Sequence, residues 1–319
     1  MDPSQQKGGS SLIQGGKEKK KEKKYYGKLL ILIIFIVLSI EYYQYVFEVM
    51  LGYMTQKNFR LILTLLIIFH ALVLLLLMAF ISTMSTNPGE IPLYWGFYIG
   101  DDDYKRKRYC LICNAFKPER SHHCSVCNIC VLNMDHHCPW VDNCIGFYNR
   151  KYFMQLLFFV VILTIYVDIS EFYFIVNLSI KLFKQHIKYS EIALAALTIF
   201  AYLAVFIFSI IITNFFKFHI GLVLKNSTTI ESLDQEHQKD FQKFNLSPRE
   251  NWEQVFGCDS LFWFVPFPTK RGKPDGDGLS WRTNESTLDS NIKGEENNIK
   301  KYGSNFDTNF NSNNIPGSL

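Results

Sequence analysis

Charged residues are scarce over four long stretches of this 319-residue sequence, in which 48% of all residues are hydrophobic. Each stretch reaches the roughly 20 residues that a helix needs to cross the hydrocarbon core of a bilayer. A helix buried in a soluble core is usually shorter and has a polar face. No small-residue cleavage site follows the first stretch, which argues against a cleaved signal peptide. The sequence therefore predicts four transmembrane helices, at residues 29–51, 61–84, 153–178 and 192–216.

The orientation of these helices follows from the lysines and arginines beside their ends. They concentrate before the first helix, in "KEKKKEKKYYGK", and in the long segment between the second and third helices. Because such residues favour the cytosolic side, we expect both tails and this central segment to face the cytosol. The membrane itself is expected to belong to the endomembrane system, most readily the Golgi or endoplasmic reticulum.

Cysteine is nearly absent outside the central segment, and no internal repeat is evident. Seven of the eight cysteines fall between Cys110 and Cys144. Disulfides are rare in the reducing cytosol, so clustered thiols there indicate metal ligands or catalysts. The predicted domains around the helices are a basic tail at 1–28, a cysteine-rich domain at 104–151, a cytosolic region at 217–267 and a disordered tail at 268–319.

The central segment contains more metal-binding side chains than two metal sites require. It has seven Cys and four His, and two tetrahedral zinc sites of three Cys and one His each would use six Cys and two His. One Cys and two His remain, and spacing alone does not identify the spare Cys. The residues around Cys138 favour it, because Asp135 and His136 precede it as an orienting carboxylate and a base. A structural zinc module that recruits proteins without chemistry is the alternative, whereas nucleic-acid binding is disfavoured by the mild charge.

At this point the sequence resembles a known family. The stretch "CLICNAFKPERSHHCSVCNICVLNMDHHCPWVDNC" is similar to the cysteine-rich domain of the DHHC protein S-acyltransferases, or palmitoyltransferases. "TTIE" (Thr228 to Glu231) and "NWEQVFG" (Asn251 to Gly257) resemble two further motifs of that family. Asn87 is a small departure, since the family often has Asp before Pro-Gly. The implied fold is an all-α polytopic membrane protein with the zinc domain between helices 2 and 3.

The resemblance also implies roles for individual residues. Cys138 would be the nucleophile, His136 its base and Asp135 the group that orients the base. Lys117 and Arg120 would contact the phosphates of CoA, while Thr228, Thr229, Glu231 and Asn251 would be structural. Thr228 and Glu231 also fit a helix capping box. Two zinc sites are implied: Cys110, Cys113, His123 and Cys130 in one, and Cys124, Cys127, His137 and Cys144 in the other.

The function expected from this resemblance is protein S-acylation. Palmitoyl-CoA or a related acyl-CoA would be the co-substrate, and both zinc ions would be structural. The partners would be membrane-associated proteins with cytosolic cysteines, together with the lipid bilayer itself and no nucleic acid. Cys258, a lone thiol near the membrane, is expected to be inert rather than a second acyl site.

Overall fold

The computed structural model describes residues 26–93, 95–96, 108–184, 189–234 and 236–284. Within these residues, four helices are long and apolar enough to cross a membrane. They are α1 (Tyr26–Leu51), α2 (Phe59–Ser85), α3 (Arg150–Lys184) and α4 (Tyr189–Leu224). The prediction of four such helices is confirmed. However, α3 begins before the predicted Phe153 and α4 continues past the predicted end at Phe216.

The four helices bury only a small part of their apolar surface against one another. The most apolar stretch of α3 is 33% buried, which is the largest share among the four helices. This helix contacts both α2 and α4 along its length. Leucine, isoleucine and phenylalanine side chains cover the outward faces. Because all backbone groups within a helix are paired internally, such surfaces suit a hydrocarbon solvent. The last turns of α1, Gln44–Leu51, widen into a π-helix.

The interior contacts of the bundle form several clusters, two of which mark its ends. At the end remote from the cysteine-rich segment, Tyr45 of α1, Phe69 of α2 and Phe174 of α3 are buried in one cluster. The rings of Tyr45 and Phe69 lie 4.3 Å apart. At the other end, Cys138 packs over residues of α2, α3 and α4. The cysteine-rich segment therefore closes one end of the bundle.

The cysteine-rich segment consists of three two-stranded antiparallel hairpins, which the sequence did not predict. They pair β1 (Tyr109–Cys110) with β2 (Ala115–Phe116), β3 (His122–Cys124) with β4 (Ile129–Val131), and β5 (His136–Cys138) with β6 (Asn143–Ile145). Strands of two or three residues cannot build a hydrophobic core of their own. The segment therefore depends on its metal-binding side chains and on its contacts with the helices.

The hairpins repeat every 14 residues, contrary to the expectation of no internal repeat. Cys110, Cys124 and Cys138 occupy equivalent positions in β1, β3 and β5, and each hairpin has the same cross-strand register. The left-handed turn residues follow the same interval, with positive φ at Asn114, Asn128 and Asp142. Asn and Asp tolerate this conformation better than other residues with a Cβ. The period is visible in the sequence once residues are aligned at this interval.

Two asparagines attach the third hairpin to the end of α2. The side-chain amide of Asn143 donates to the carbonyls of Thr83, Met84 and Thr86, at 3.2, 3.1 and 3.0 Å. Asn149 donates to the carbonyls of Thr83 and Cys144. The last carbonyls of a helix have no partner within it. The amides of the hairpin therefore satisfy groups that the end of α2 leaves free.

After α4 the chain folds back against the cysteine-rich segment. It forms α5 (Thr229–Leu233), α6 (Gln238–Phe241) and α7 (Pro248–Phe256), followed by an irregular segment at 257–284. Residues 268–284, assigned to a disordered tail from the sequence, pack against the protein. Lys151 Nζ donates to the carbonyl of Gly272 at 3.0 Å, and the Trp281 ring contacts that of Phe147. The rest of that predicted tail and most of the basic tail lie outside the described residues.

Candidate active site and metal centres

The three hairpins bring eight metal-binding side chains into two groups of four. In each group the candidate ligand atoms lie within 4.8 Å of one another. The groups are Cys110, Cys113, His123 and Cys130, and Cys124, Cys127, His137 and Cys144. Each combines a Cys-x2-Cys pair from one hairpin with a cross-strand His–Cys pair from the next, His123–Cys130 or His137–Cys144. These are the two sets that the family resemblance implies.

The donor atoms of both groups fit a tetrahedral metal ion. Cys113 Sγ lies 3.2 Å from His123 Nδ1, and Cys127 Sγ lies 3.4 Å from His137 Nδ1. Metal–sulfur bonds of about 2.3 Å and metal–nitrogen bonds of about 2.0 Å would separate tetrahedral ligands by roughly 3.5 Å. Four protein ligands would complete the coordination of each ion and leave no position for a reactant. Both groups are therefore metal-binding clusters of the closed, structural type.

Cys138 belongs to neither cluster, and the 14-residue repeat explains why. It occupies the position of Cys110 and Cys124, but Val141 stands where Cys113 and Cys127 would require a second cysteine. No fourth hairpin follows to provide a His–Cys pair, because α3 begins at Arg150. The Cys138 side chain is instead 4% exposed and packs against Phe153 and Leu157 of α3. It is therefore a free thiol at the boundary between hairpins and helices.

Asp135 and His136 form a hydrogen-bonded pair beside this thiol. His136 Nδ1 lies 2.7 Å from Asp135 Oδ2, and the carboxylate is fully buried. The side chain of His136 also interacts with Cys138, two residues later in the same strand, and is 25% exposed. An imidazole bonded to a carboxylate through Nδ1 presents Nε2 to the thiol. The three side chains thus have the order of a catalytic carboxylate, base and nucleophile.

Opposite charges decide the protonation of this pair. Burial alone would raise the pKa of Asp135, but the Arg150 guanidinium at 3.5 Å and the hydrogen bond from His136 hold that pKa well below its usual range. Burial opposes a charge on His136, yet the hydrogen bonds to Asp135 and Cys138 raise its pKa to about 9. The pair therefore favours a carboxylate beside an imidazolium.

The Thr228–Glu231 motif supports the carboxylate from the far end of α4. Thr229 donates to Asp135 through its backbone N–H at 3.0 Å and through its hydroxyl at 2.8 Å. The predicted capping box is confirmed, because the side chain of Thr228 accepts from the backbone of Glu231 and the Glu231 carboxylate accepts from the backbone of Thr228. The helix it caps ends at Leu233. The motif thus holds Asp135 from a segment about 90 residues away in sequence.

Arg120 is not available for the predicted contact with CoA phosphates. Its side chain is 1% exposed, and its guanidinium donates to both carboxylate oxygens of Glu231, at 2.7 and 2.8 Å. The remaining donors bond to Asn226, and the rings of Phe244 and Trp281 stack on the guanidinium at 4.6 and 4.3 Å. No face of the group is left for a phosphate, contrary to the expectation from the sequence. Arg120 instead joins three distant segments.

Three more residues named from the sequence have surroundings of their own. Lys117 is half-buried and lines a small cavity of about 160 Å³ together with Trp95 and Arg108. Asn251 is fully buried and donates to the carbonyl of Leu224, which attaches α7 to the end of α4. Cys258 is exposed.

Three further residues beside the site were missed by the sequence analysis. Arg150 pairs with Asp135, and the buried His219 of α4 lies with its ring centre 5.9 Å from that of His136. Asn226 ends α4 in a left-handed conformation and bonds to Arg120. The signal for Asn226 was available, since asparagine is a common helix terminator. Arg150 lay within the predicted cysteine-rich domain but was given no role, and His219 lies beyond the predicted end of the fourth helix.

Comparisons with known proteins agree with this geometry. A sequence model of the DHHC palmitoyltransferase family matches residues 103–236. Probable protein S-acyltransferase 13 of Arabidopsis thaliana is 34% identical over 225 residues, which cover 64% of this chain and 72% of the relative. Probable protein S-acyltransferase 14 of the same plant is 32% identical over 69% of this chain and 78% of the relative. Palmitoyltransferase ZDHHC20-A of Danio rerio is 31% identical over 80% and 77%, respectively.

These relatives are named as enzymes, which favours acyl transfer over the alternative of a non-catalytic zinc adaptor. The identity extends beyond the hairpins into the helices, since it covers about two thirds or more of this chain. The free thiol, its hydrogen-bonded His–Asp pair and the two metal-binding clusters all lie within the matched residues 103–236. This multi-pass membrane chain belongs to the DHHC family of protein S-acyltransferases.

Proposed function

We propose that this chain transfers a long-chain acyl group, typically palmitate, from acyl-CoA to cysteines of membrane-associated proteins through a thioester on Cys138. The observation that carries the proposal is the environment of this thiol. Cys138 lies outside both metal clusters and interacts with His136, whose Nδ1 lies 2.7 Å from Asp135 Oδ2. A structural cysteine would need neither partner.

The proposed reaction consists of two thioester exchanges. His136 takes the proton of Cys138, and the thiolate attacks the thioester carbon of acyl-CoA, so that CoA leaves and the acyl group is bonded to Cys138. A cysteine of the protein substrate then attacks this second thioester. Both steps exchange one thioester for another and are nearly isoenergetic, so no ATP is required. The protein must supply a thiolate, positioning and the exclusion of water.

We propose that the ions held by the two clusters are zinc. Soft thiolate and imidazole donors in a closed tetrahedral set are typical of structural zinc. Such an ion would contribute folding free energy to a segment that has almost no core of its own. It would thereby fix the hairpins that carry Asp135, His136 and Cys138.

The acyl chain is proposed to lie in the bilayer half of the molecule. Beneath Cys138, the side chains of Phe80, Leu156, Ile212 and Phe216 form an apolar lining contributed by α2, α3 and α4. Each buried CH2 of a fatty acyl chain contributes about 0.8 kcal/mol. A long chain therefore gains most of its binding free energy from such a lining. Lys117, which is half-buried, stays the proposed contact for CoA phosphates.

Orientation and compartment are part of the same proposal. Acyl-CoA is a cytosolic metabolite, so the hairpins, both tails and the region at 217–267 would face the cytosol. The protein substrates would present cytosolic cysteines near the membrane surface, and the endomembrane system is the proposed location. Gly27 at the start of α1 contacts Asp142 of the third hairpin, which supports a common side for these parts.

Self-acylation tests the proposal directly. The protein is purified in detergent with its metal retained and incubated with an alkyne-tagged palmitoyl-CoA, beside Cys138→Ser and His136→Ala. We expect hydroxylamine-labile label on the wild type, none on Cys138→Ser, and a strongly reduced rate for His136→Ala. Metal analysis should give two zinc ions per chain for all three proteins.

Two outcomes would contradict the proposal. Equal label on the wild type and Cys138→Ser would place the reactive thiol elsewhere, with the exposed Cys258 as the next candidate. An absence of label on a wild type that retains both metal ions would favour the non-catalytic adaptor.

A further inference from the structure

His219 is a buried histidine of α4 to which the proposed mechanism assigns no task. Its side chain is 2% exposed. Among the residues that the structure describes, its ring nitrogens form no hydrogen bond, although neither nitrogen is completely enclosed. This distinguishes it from His70 of α2, whose ring nitrogens lie 2.8 Å from Tyr42 Oη and 2.7 Å from the carbonyl of Leu66. His219 is thus an imidazole without a polar partner.

Aromatic rings surround His219 on several sides. Ring centres lie 4.6 Å away for Phe215, 5.3 Å for Phe218 and 5.0 Å for Phe153. Phenylalanine would fill such a position without leaving a polar atom unpaired. A buried polar group that lacks a partner reduces stability, so a histidine here requires another explanation. The missing partner is expected to be a group that enters the site.

The position of His219 indicates which group that is. Phe153 packs with Cys138 in one buried hydrophobic cluster, and its ring also lies 5.2 Å from that of His136. Phe216, one helical turn before His219, belongs to the lining beneath the thiol. His219 of α4 and His136 of β5 therefore both contact Phe153, which packs against Cys138. The polar group that arrives beside Cys138 during the reaction is the thioester of the acyl donor.

We propose that His219 is a further catalytic residue, whose imidazole N–H donates a hydrogen bond to the carbonyl oxygen of the thioester. The inference rests on the proposed acyl transfer. As the Cys138 thiolate forms its bond to the carbonyl carbon, the carbonyl π electrons move onto oxygen, and the His219 N–H stabilises that negative charge. When the bond to the CoA sulfur breaks, the carbonyl re-forms and the CoA thiolate takes the proton held by His136. The charge on oxygen exists only near the transition state, where a positioned donor has its largest effect.

Single-turnover self-acylation at several concentrations of palmitoyl-CoA tests this role with His219→Phe and His219→Asn. For His219→Phe we expect a rate constant about 100-fold below that of the wild type, as is typical for loss of one oxyanion donor. The concentration that gives half the maximal rate should change little. The midpoint of thermal unfolding should equal or exceed that of the wild type, because phenylalanine fits the aromatic surroundings. His219→Asn should recover part of the rate, since its amide donates a hydrogen bond.

A control variant and three results decide the matter. His70→Phe removes a partnered histidine from the same bundle and should leave the rate constant unchanged. The inference is overturned if His219→Phe reacts at the wild-type rate, or if only its half-saturating concentration changes. It is also overturned if both His219 variants are slow, unfold at lower temperature and lose metal, which indicates a structural role. A wild type whose label does not depend on Cys138 would instead remove the proposed function and this inference together.

Discussion

Hairpins β3–β4 and β5–β6 have the same backbone but different chemistry. Both begin with His-His-Cys and pair in the same register, His122 with Val131 and His136 with Ile145. In the first hairpin the cysteine, Cys124, belongs to a metal cluster, whereas in the second the cysteine, Cys138, is free. One repeated hairpin thus provides a candidate metal ligand in one copy and a free thiol, the proposed nucleophile, in the next.

The difference lies in the residues that flank the shared triplet. Ser121 precedes the first triplet, and its hydroxyl donates to the nearby carbonyl of Pro118 at 2.6 Å. Asp135 precedes the second, and its carboxylate bonds to His136 and to Thr229 of a distant segment. Three residues after the cysteine stands Cys127 in one copy and Val141 in the other. These two differences in sequence, rather than the backbone, distinguish the cysteine of a metal cluster from the free thiol.

The largest effect is expected from a substitution in hairpin β3–β4, the copy whose cysteine belongs to a metal cluster. Cys124→Ser should reduce bound zinc from two ions per chain towards one and unfold the hairpins, because structural zinc contributes about 10–16 kcal/mol of apparent binding free energy in small domains. Metal analysis and limited proteolysis measure both effects. Cys258→Ser, at an exposed cysteine, should keep both ions. A Cys124→Ser protein with two tightly held ions would contradict the assigned cluster.

The second largest effect is expected at Asp135, which precedes hairpin β5–β6 where Ser121 precedes hairpin β3–β4. Asp135→Asn should lower the rate of self-acylation by roughly 10³- to 10⁴-fold, because an amide neither orients nor stabilises the imidazolium as a carboxylate does. Metal content should stay at two ions. Asp142→Asn is the matched control, since this residue tolerates the left-handed turn and should leave the rate unchanged. An active Asp135→Asn protein would show that His136 needs no orienting acid.

A smaller effect is expected at the Arg120–Glu231 pair, which attaches the cysteine-rich segment to the C-terminal region. Glu231→Gln leaves the buried Arg120 without its counter-charge, which costs about 3–5 kcal/mol in comparable buried pairs. We expect a lower midpoint of thermal unfolding and, because Thr229 loses its anchored position, slower acylation. Glu253→Gln removes an exposed pair with Arg249 and should cost less than about 1 kcal/mol. Equal midpoints for the two variants would disprove the anchoring role of Arg120.

The smallest effect tests one hydrogen bond of Asp135. Thr229→Val removes the hydroxyl at 2.8 Å but keeps the backbone N–H at 3.0 Å. One such bond to a carboxylate is worth about 1.5 kcal/mol or slightly more, so acylation should slow about tenfold. Thr64→Val removes a hydroxyl that bonds only within α2 and should not change the rate. An unchanged rate for Thr229→Val would mean that the backbone N–H suffices.

Much of the fold was predictable because apolar length alone specifies a helix in a membrane. The ends of the helices were harder to predict. The first residues of α3, Arg150 and Lys151, are charged yet buried, since Asp135 and the carbonyl of Gly272 provide their partners. Those partners are distant in sequence, so the charges resembled a solvated loop. The same limitation hid the packing of residues 268–284, whose polar composition suggested disorder.

Within the site, spacing predicted the clusters better than it predicted single charged residues. The two groups of four repeat one local pattern, which can be read from the sequence alone. Arg120 illustrates the opposite case, because its partner Glu231 lies 111 residues away. A lone arginine beside a zinc motif resembles a phosphate contact until its counter-charge is known. The position of His219 could not be predicted from the sequence either. The phenylalanines around it in the sequence do not indicate whether the histidine lies close to the site.

The attachment of the third hairpin to α2 has a mechanical consequence. Asn143 bonds to three carbonyls in the last turn of the helix, and Cys138 is its cross-strand neighbour. A transmembrane helix tilts as the bilayer becomes thinner or thicker. Because these hydrogen bonds join the hairpin directly to the end of the helix, we expect that tilt to change the height of the thiol above the lipid headgroups. Bilayer thickness would thereby act on the distance that a target cysteine must cover.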